Sequence, residues 1–164
     1  MLKTLYIKDF TLIDELTVFF DRGLNIITGE TGAGKSILLE AIDIALGCRC
    51  SKEQIKTGKE KSFIELTIEL ADDFPSEILL NNGIELDGTN EVIISREISS
   101  KSARSRINGI LVTQSYLQEI REYLLDIHSQ NHTFIYLQPK SHIDLLDKYG
   151  DEKHNSLLQE FIAN

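Results

Sequence analysis

Gly29, Gly34, Lys35 and Ser36 stand at the spacing Gly-x-x-x-x-Gly-Lys-Ser, with Glu30, Thr31, Gly32 and Ala33 between them. That spacing serves the holding of a phosphate chain. The glycines let successive backbone N–H groups turn into one concavity, and Gly32 adds another point where backbone can approach an anion closely. A helix that starts at the loop contributes the positive end of its dipole. Lys35 then sets an ammonium beside the outer phosphates, and the Ser36 hydroxyl is suited to ligating Mg²⁺. The expected ligand is a nucleoside triphosphate with Mg²⁺, bound by residues 29–36.

The plain alternative is a glycine-rich turn beside a surface lysine, and the flanks decide between the two. Residues 24–28, Leu-Asn-Ile-Ile-Thr, form a short apolar run after the turn signal Asp21-Arg22-Gly23, which predicts a buried strand entering the loop. Residues 35–46 carry polar positions at Ser36, Glu40 and Asp43 with apolar residues between, followed by Gly47 as a C-cap; this predicts a mostly buried helix leaving the loop. Strand, loop and helix are the context the motif requires. A dinucleotide fold has different glycine spacing and leaves the Lys-Ser pair unexplained.

Other elements complete a single α/β domain. Leu5 and Ile7, then Leu16, Val18 and Phe20, alternate in a manner that predicts two strands joined around residues 9–14. Residues 51–62 read as a lysine-rich surface connection, and 64–70 as a strand with one wet face. A short helix over 75–80 is expected to end at Asn81-Asn82-Gly83. Strands are expected over 92–98 and 106–112, with Asn108-Gly109 as a tight-turn signal, then a helix from Thr113 to near His128. Helices are expected over 141–149 and 151–164, the latter running uncapped to the last residue, as in a truncated chain.

Composition narrows the class. With 41% hydrophobic and 26% charged residues in 164, the chain can build an ordinary core. No apolar stretch approaches the roughly 20 residues of a membrane span, and no secretory leader is visible, so a cytoplasmic protein is expected. The net charge of −9 argues against a uniformly basic nucleic-acid surface but leaves room for a local patch. Cys48 and Cys50, one residue apart, suit neither an unstrained disulfide nor a complete zinc site.

With these elements in place, residues 24–47 resemble the ABC-type ATPase heads of the SMC-like class, and the similarity is closest to its bacterial DNA-repair branch. It is carried by Ile7-Lys8-Asp9-Phe10, by Ile27 through Ile37 including Glu30-Thr31, by Ala45-Leu46-Gly47-Cys48-Arg49, by Arg104-Ser105-Arg106-Ile107-Asn108-Gly109 and by Leu125-Asp126-Ile127-His128-Ser129-Gln130. The resemblance runs to about Tyr149 and implies a P-loop NTPase head, its N-terminal lobe having a mixed β-sheet around the phosphate-loop helix over 1–150. Residues 151–164 then begin a helix leading to a coiled coil. It implies ATP as the nucleotide, a choice phosphate chemistry alone does not make. It also implies that Gln130 is the loop glutamine that joins Ser36 on Mg²⁺, for which an amide oxygen is a sensible ligand; a solvated loop glutamine is the alternative.

Further residues carry weaker signals. Arg49 can face nucleotide or DNA or simply suit a helix end, and Lys52, Lys56, Lys59 and Lys61 can line a DNA path or form a solvated loop. His128 and His132 lack a third metal ligand, Ser115 and Ser129 lack a base with an orienting acid, and Asp126 ends a helical pattern without a following acid, so none is assigned a role. The resemblance implies that the signature motif and catalytic carboxylates belong to a second half-head, so the isolated chain is expected to be inactive. Its implied partners are the C-terminal half of the same head, a second head in a homodimer, and DNA in double-strand-break repair. Two alternatives stand beside this reading: a self-contained small P-loop kinase or NTPase, and an interaction module that nucleotide merely stabilises.

Overall fold

The computed structural model of the chain describes residues 1–29, 34–72, 74–86, 88–125 and 127. The chain divides into units spanning Met1–Asp126 and Ile127–Asn164, and the sheet and its helices belong to the first. The helices expected over 141–149 and 151–164, and the boundary near residue 150, lie outside the described residues.

The first unit is built on a six-stranded sheet in the order β2-β1-β3-β4-β5-β6, every neighbouring pair antiparallel. The strands are β1 (Leu2–Phe10), β2 (Ile13–Phe19), β3 (Lys61–Glu69), β4 (Glu91–Ser99), β5 (Ala103–Ile107) and β6 (Ile110–Val112). Alternation explains which face is covered. Leu5 and Ile7, Ile64, Leu66 and Ile68, and Val92, Ile94 and Ile98 are all buried, while their chain neighbours are at least partly wet. Against the inner face lies α1 (Gly34–Ala45), with α2 (Glu77–Leu80) and α3 (Gln114–Leu124) completing the unit.

Local chemistry sets the ends of these elements. Asn108 and Gly109 have φ values of 47° and 81°, the two positive dihedrals that a two-residue hairpin turn needs, and they divide the expected 106–112 strand into β5 and β6. The Thr113 side chain accepts from Tyr116 N–H at the start of α3. That helix ends at Leu124, short of His128, because Leu125 is extended (φ −149°, ψ 131°).

Three expectations are corrected. Residues 24–28 are not a strand: the Asn25 side chain accepts from Asp21 N–H at 3.1 Å and donates to Asp21 C=O at 2.8 Å, closing a side-chain turn where ladder pairing was expected. Leu24 and Ile26 are 88% and 74% exposed, so the run lacks the burial that makes a central strand. With that segment outside the ladder, the sheet expected to be mixed is antiparallel in all its described strands. The helix after the loop is also less buried than expected. Its C-terminal half, from Ala41 to Ala45, is inside, but Ile37 and Leu38 are half-buried and Leu39 is exposed.

Candidate phosphate-binding site

Gly34, Lys35 and Ser36 are the first three residues of α1, so the loop opens directly into a helix. No acidic side chain occupies the first turn. The N–H groups of that turn, which have no acceptor within the helix, and the positive end of the dipole therefore face outward without a local carboxylate to cancel them. Lys35 folds back, its Nζ donating to the Gly29 carbonyl, which closes the loop from its first glycine to its lysine. A Cβ placed on Gly34 would meet nothing within 4 Å, so the space beside the helix start is open. Ser36 is at the same end and exposed.

Four of the nominated residues are thus brought to one place: Gly29, Gly34, Lys35 and Ser36. Glu30, Thr31, Gly32, Ala33 and Gln130 lie outside the described residues. Among the described residues no cluster of three or more His, Cys, Asp and Glu forms a metal site. The donor set fits a Mg-nucleotide: an ammonium, a helix N-terminus and a hydroxyl are the groups that polyphosphate and a hard cation require.

A helix can hold a phosphate in register only if its other end is fixed, and the structure fixes it in three ways. Gly47, at φ 95°, turns the chain out of α1, and its carbonyl accepts from Gln114 Nε2 at 2.9 Å and Gln118 Nε2 at 3.0 Å. A Cβ on Gly47 would lie 3.0 Å from Leu117 Cβ and 3.2 Å from the Gln114 carbonyl, so glycine is required here for closeness as well as for φ. Asp43 pairs with Arg121 at 2.5 Å, and the same guanidinium donates to Cys48 Sγ at 2.9 Å. Arg96, only 2% exposed, donates to the Ile44 carbonyl at 2.6 Å and reaches Cys50 Sγ at 3.5 Å. A cation at the carbonyl end of α1 complements the dipole whose other end faces the loop.

Sequence reasoning missed Arg96, and it read Asp43 only as one of three polar positions at helical spacing. A signal for Arg96 was present: Val92, Ile94, Arg96 and Ile98 share one parity, so a charge sits in the row that must face the core. Nothing comparable marked Asp43, whose partner lies 78 residues away.

Together the sheet, the helix that opens on Gly-Lys-Ser and the lysine folded onto Gly29 define a fold of the α/β P-loop NTPase class. Residues 4–162 match the family model described as an AAA domain, and the chain belongs to that family. Among individual proteins it is similar to the DNA repair protein RecN. It is 40% identical to the RecN of Bacillus subtilis over 164 residues, covering 98% of this chain and 28% of that relative. The corresponding figures are 39% over 156 residues for Synechocystis sp., covering 93% and 26%, and 37% over 153 residues for Rickettsia typhi, covering 92% and 27%. The chain therefore spans a little over a quarter of the length of these curated relatives.

Solved structures agree on the fold. One, concerning ATP-driven dimerization and DNA stimulated activation of SMC ATPases, superposes with a TM-score of 0.61 at 21% identity, covering 91% of this chain and 99% of that one. The recombination mediator protein RecF superposes at 0.58 and 21% identity, covering 71% and 29%.

Proposed function

We propose that this chain is the ATP-binding lobe of a RecN-like, SMC-class ATPase that acts on chromosomal DNA in the cytoplasm, in double-strand-break repair and recombination. The observation that carries the reading is the opening of α1 on Gly34, Lys35 and Ser36 with Lys35 closed onto Gly29. Lys35 exchanges the Gly29 carbonyl for a phosphate oxygen, and backbone N–H groups from Gly29 to Ser36 line the rest of the cradle. Ser36 and Gln130 are the residues that would hold Mg²⁺, which supplies charge neutralisation at the phosphoryl oxygens when bound.

Catalysis in this reading needs the C-terminal half of the same head and a second head in a homodimer, with ATP favouring their engagement. Support comes from apolar surface beside the loop: Leu24, Ile26, Ile27 and Leu39 are all 43% or more exposed, a run of the kind that marks an interaction surface.

The test is Mg-ATP binding and phosphate release by the purified chain, with Lys35→Ala as its control. Binding that weakens at least about tenfold in Lys35→Ala, without turnover above the control, is expected; a tenfold loss corresponds to about 1.4 kcal/mol. Affinity unchanged in the variant removes Lys35 from the site. Robust turnover abolished by Lys35→Ala means a complete enzyme and replaces the half-head reading.

A further inference from the structure

The carbonyl end of α1 gathers two thiols and two guanidiniums around a short stretch of chain. Where Gly47 turns out of the helix, Cys48 N–H donates to the Asp43 carbonyl at 3.0 Å, and three residues on Ser51 caps the 3₁₀ turn Lys52–Gln54. Cys48 and Cys50 are held between these two anchors, both free thiols and both half-buried. Their sulfurs face different arginines. Arg121 donates to Cys48 Sγ at 2.9 Å and Arg96 to Cys50 Sγ at 3.5 Å.

The two guanidiniums are not equivalent. The charge of Arg121 is met by Asp43 at 2.5 Å. Arg96, on β4 and 2% exposed, has no ion-pair partner among the described residues. Its Nη1 donates to the Ile44 carbonyl at 2.6 Å, its Nη2 donates to Cys50 Sγ, and its buried Nε–H has no acceptor. Nε and Nη2 form one edge of the planar guanidinium, the edge suited to two parallel hydrogen bonds with an oxygen-bearing group. That edge is turned to Cys50 and is only half used. A buried donor left without an acceptor is costly, and an oxygen carried on the Cys50 sulfur would supply what Nε–H lacks.

We propose that Cys50 is a site of oxidation by hydroperoxides, with Arg96 as the residue that receives the transferred oxygen. The thiol first gives its proton to water, because the thiolate is the attacking form. Its sulfur then donates an electron pair to one peroxide oxygen, so that an S–O bond forms as the O–O bond breaks. The sulfur loses two electrons and the peroxide gains them. The departing hydroxide or alkoxide takes a proton back from water, so one thiol and one hydroperoxide give one sulfenic acid and one water or alcohol. Arg96 Nε–H donates to the peroxide as charge builds on its oxygens, and afterwards to the sulfenic oxygen. Cys48 does not displace that oxygen, because a disulfide across a single intervening residue is strained. The product therefore persists, and it ties the chain after α1 to β4 at the end of the helix opposite the phosphate loop. The site stands on these contacts alone and is independent of the nucleotide reading.

The experiment treats the full chain with hydrogen peroxide, traps sulfenic acid with dimedone and follows the adduct by intact mass. The chain has two cysteines, so Cys48→Ser leaves only Cys50 and Cys50→Ser leaves only Cys48. Cys48→Ser is expected to label as fast as the parent, and Cys50→Ser about tenfold more slowly. In the Cys48→Ser background, Arg96→Met is expected to lower the rate of labelling at Cys50, taken relative to its rate of alkylation by iodoacetamide, by about tenfold. Alkylation depends on the same access to the same thiolate but expels iodide, which needs no N–H donor. The ratio of the two rates thus separates the role of the arginine from any loosening of the core around the shorter-reaching methionine. Equal labelling of the two single-cysteine variants, an unchanged ratio in Arg96→Met, or a Cys48–Cys50 disulfide in the oxidised parent overturns the proposal.

Discussion

Arg96 carries its charge into the core, and how that is tolerated bears on the nucleotide site. Burying a guanidinium is costly unless something negative meets it. Here the partner is the carbonyl end of α1, through Ile44 at 2.6 Å, while Arg96 Nε has no hydrogen-bond partner. The Ile44 carbonyl also accepts from Gly47 N–H at 3.1 Å, so it is not orphaned if the arginine goes. Arg96→Ala should therefore destabilise by about 3 kcal/mol, chiefly through the cavity. Arg96→Met, which keeps length and apolar stem, should cost under about 1.5 kcal/mol. Urea midpoints of the two variants check this; equal losses would mean that the charge, not the volume, holds the helix end. At this scale the sequence is legible where chemistry is local. Gly29, Lys35 and Ser36 come together at the start of α1 as their spacing predicts, because they belong to one short segment. The Asp43–Arg121 pair is not, because no pattern within one element announces a partner on another.

Between elements, the turn joining β1 to β2 is strained. Thr11 has φ 47°, a conformation that costs a β-branched residue roughly 1–2 kcal/mol, and its buried Oγ1 has no hydrogen-bond partner. The turn holds this shape because Thr11 N–H donates to the Gln54 carbonyl at 2.8 Å, tying it to the short 3₁₀ turn Lys52–Gln54. That turn is itself secured by Ser51 and by Gln54 Nε2 donating to Glu40 of α1 at 3.0 Å. Thr11→Gly should relieve the dihedral and remove the unsatisfied hydroxyl, raising stability by about 1 kcal/mol in a thermal melt. A fall in melting temperature would show that the threonine methyl packs more than its backbone strains. Strands and caps were readable at this scale: alternation located β1, β3 and β4, and Asn108-Gly109 located a hairpin turn. The 24–28 run was misread for a physical reason. Apolar residues in sequence report a need for cover, not where the cover comes from, and here the Asn25 side chain satisfied the local backbone first.

For the whole molecule, that exposed run separates internal stability from assembly. Leu24 and Ile26 contribute almost nothing to the core, being 88% and 74% exposed, yet they adjoin the loop that binds nucleotide in the proposed function. A residue already in water loses little when made polar, so Leu24→Ser/Ile26→Ser should leave the unfolding free energy of this chain within about 0.5 kcal/mol of the parent. If the run is the seam to the complementary half of the head, the same variant should weaken association with that half, expressed separately, by tenfold or more, since burying two such side chains stabilises by about 1.5–3 kcal/mol each. Nucleotide binding by the chain alone should persist, because Lys35 and the start of α1 are untouched. Urea unfolding and a pull-down with the separate half give the two readouts. Lost stability would mean that the run packs inward in solution; retained stability with undiminished association would place the seam elsewhere on the surface.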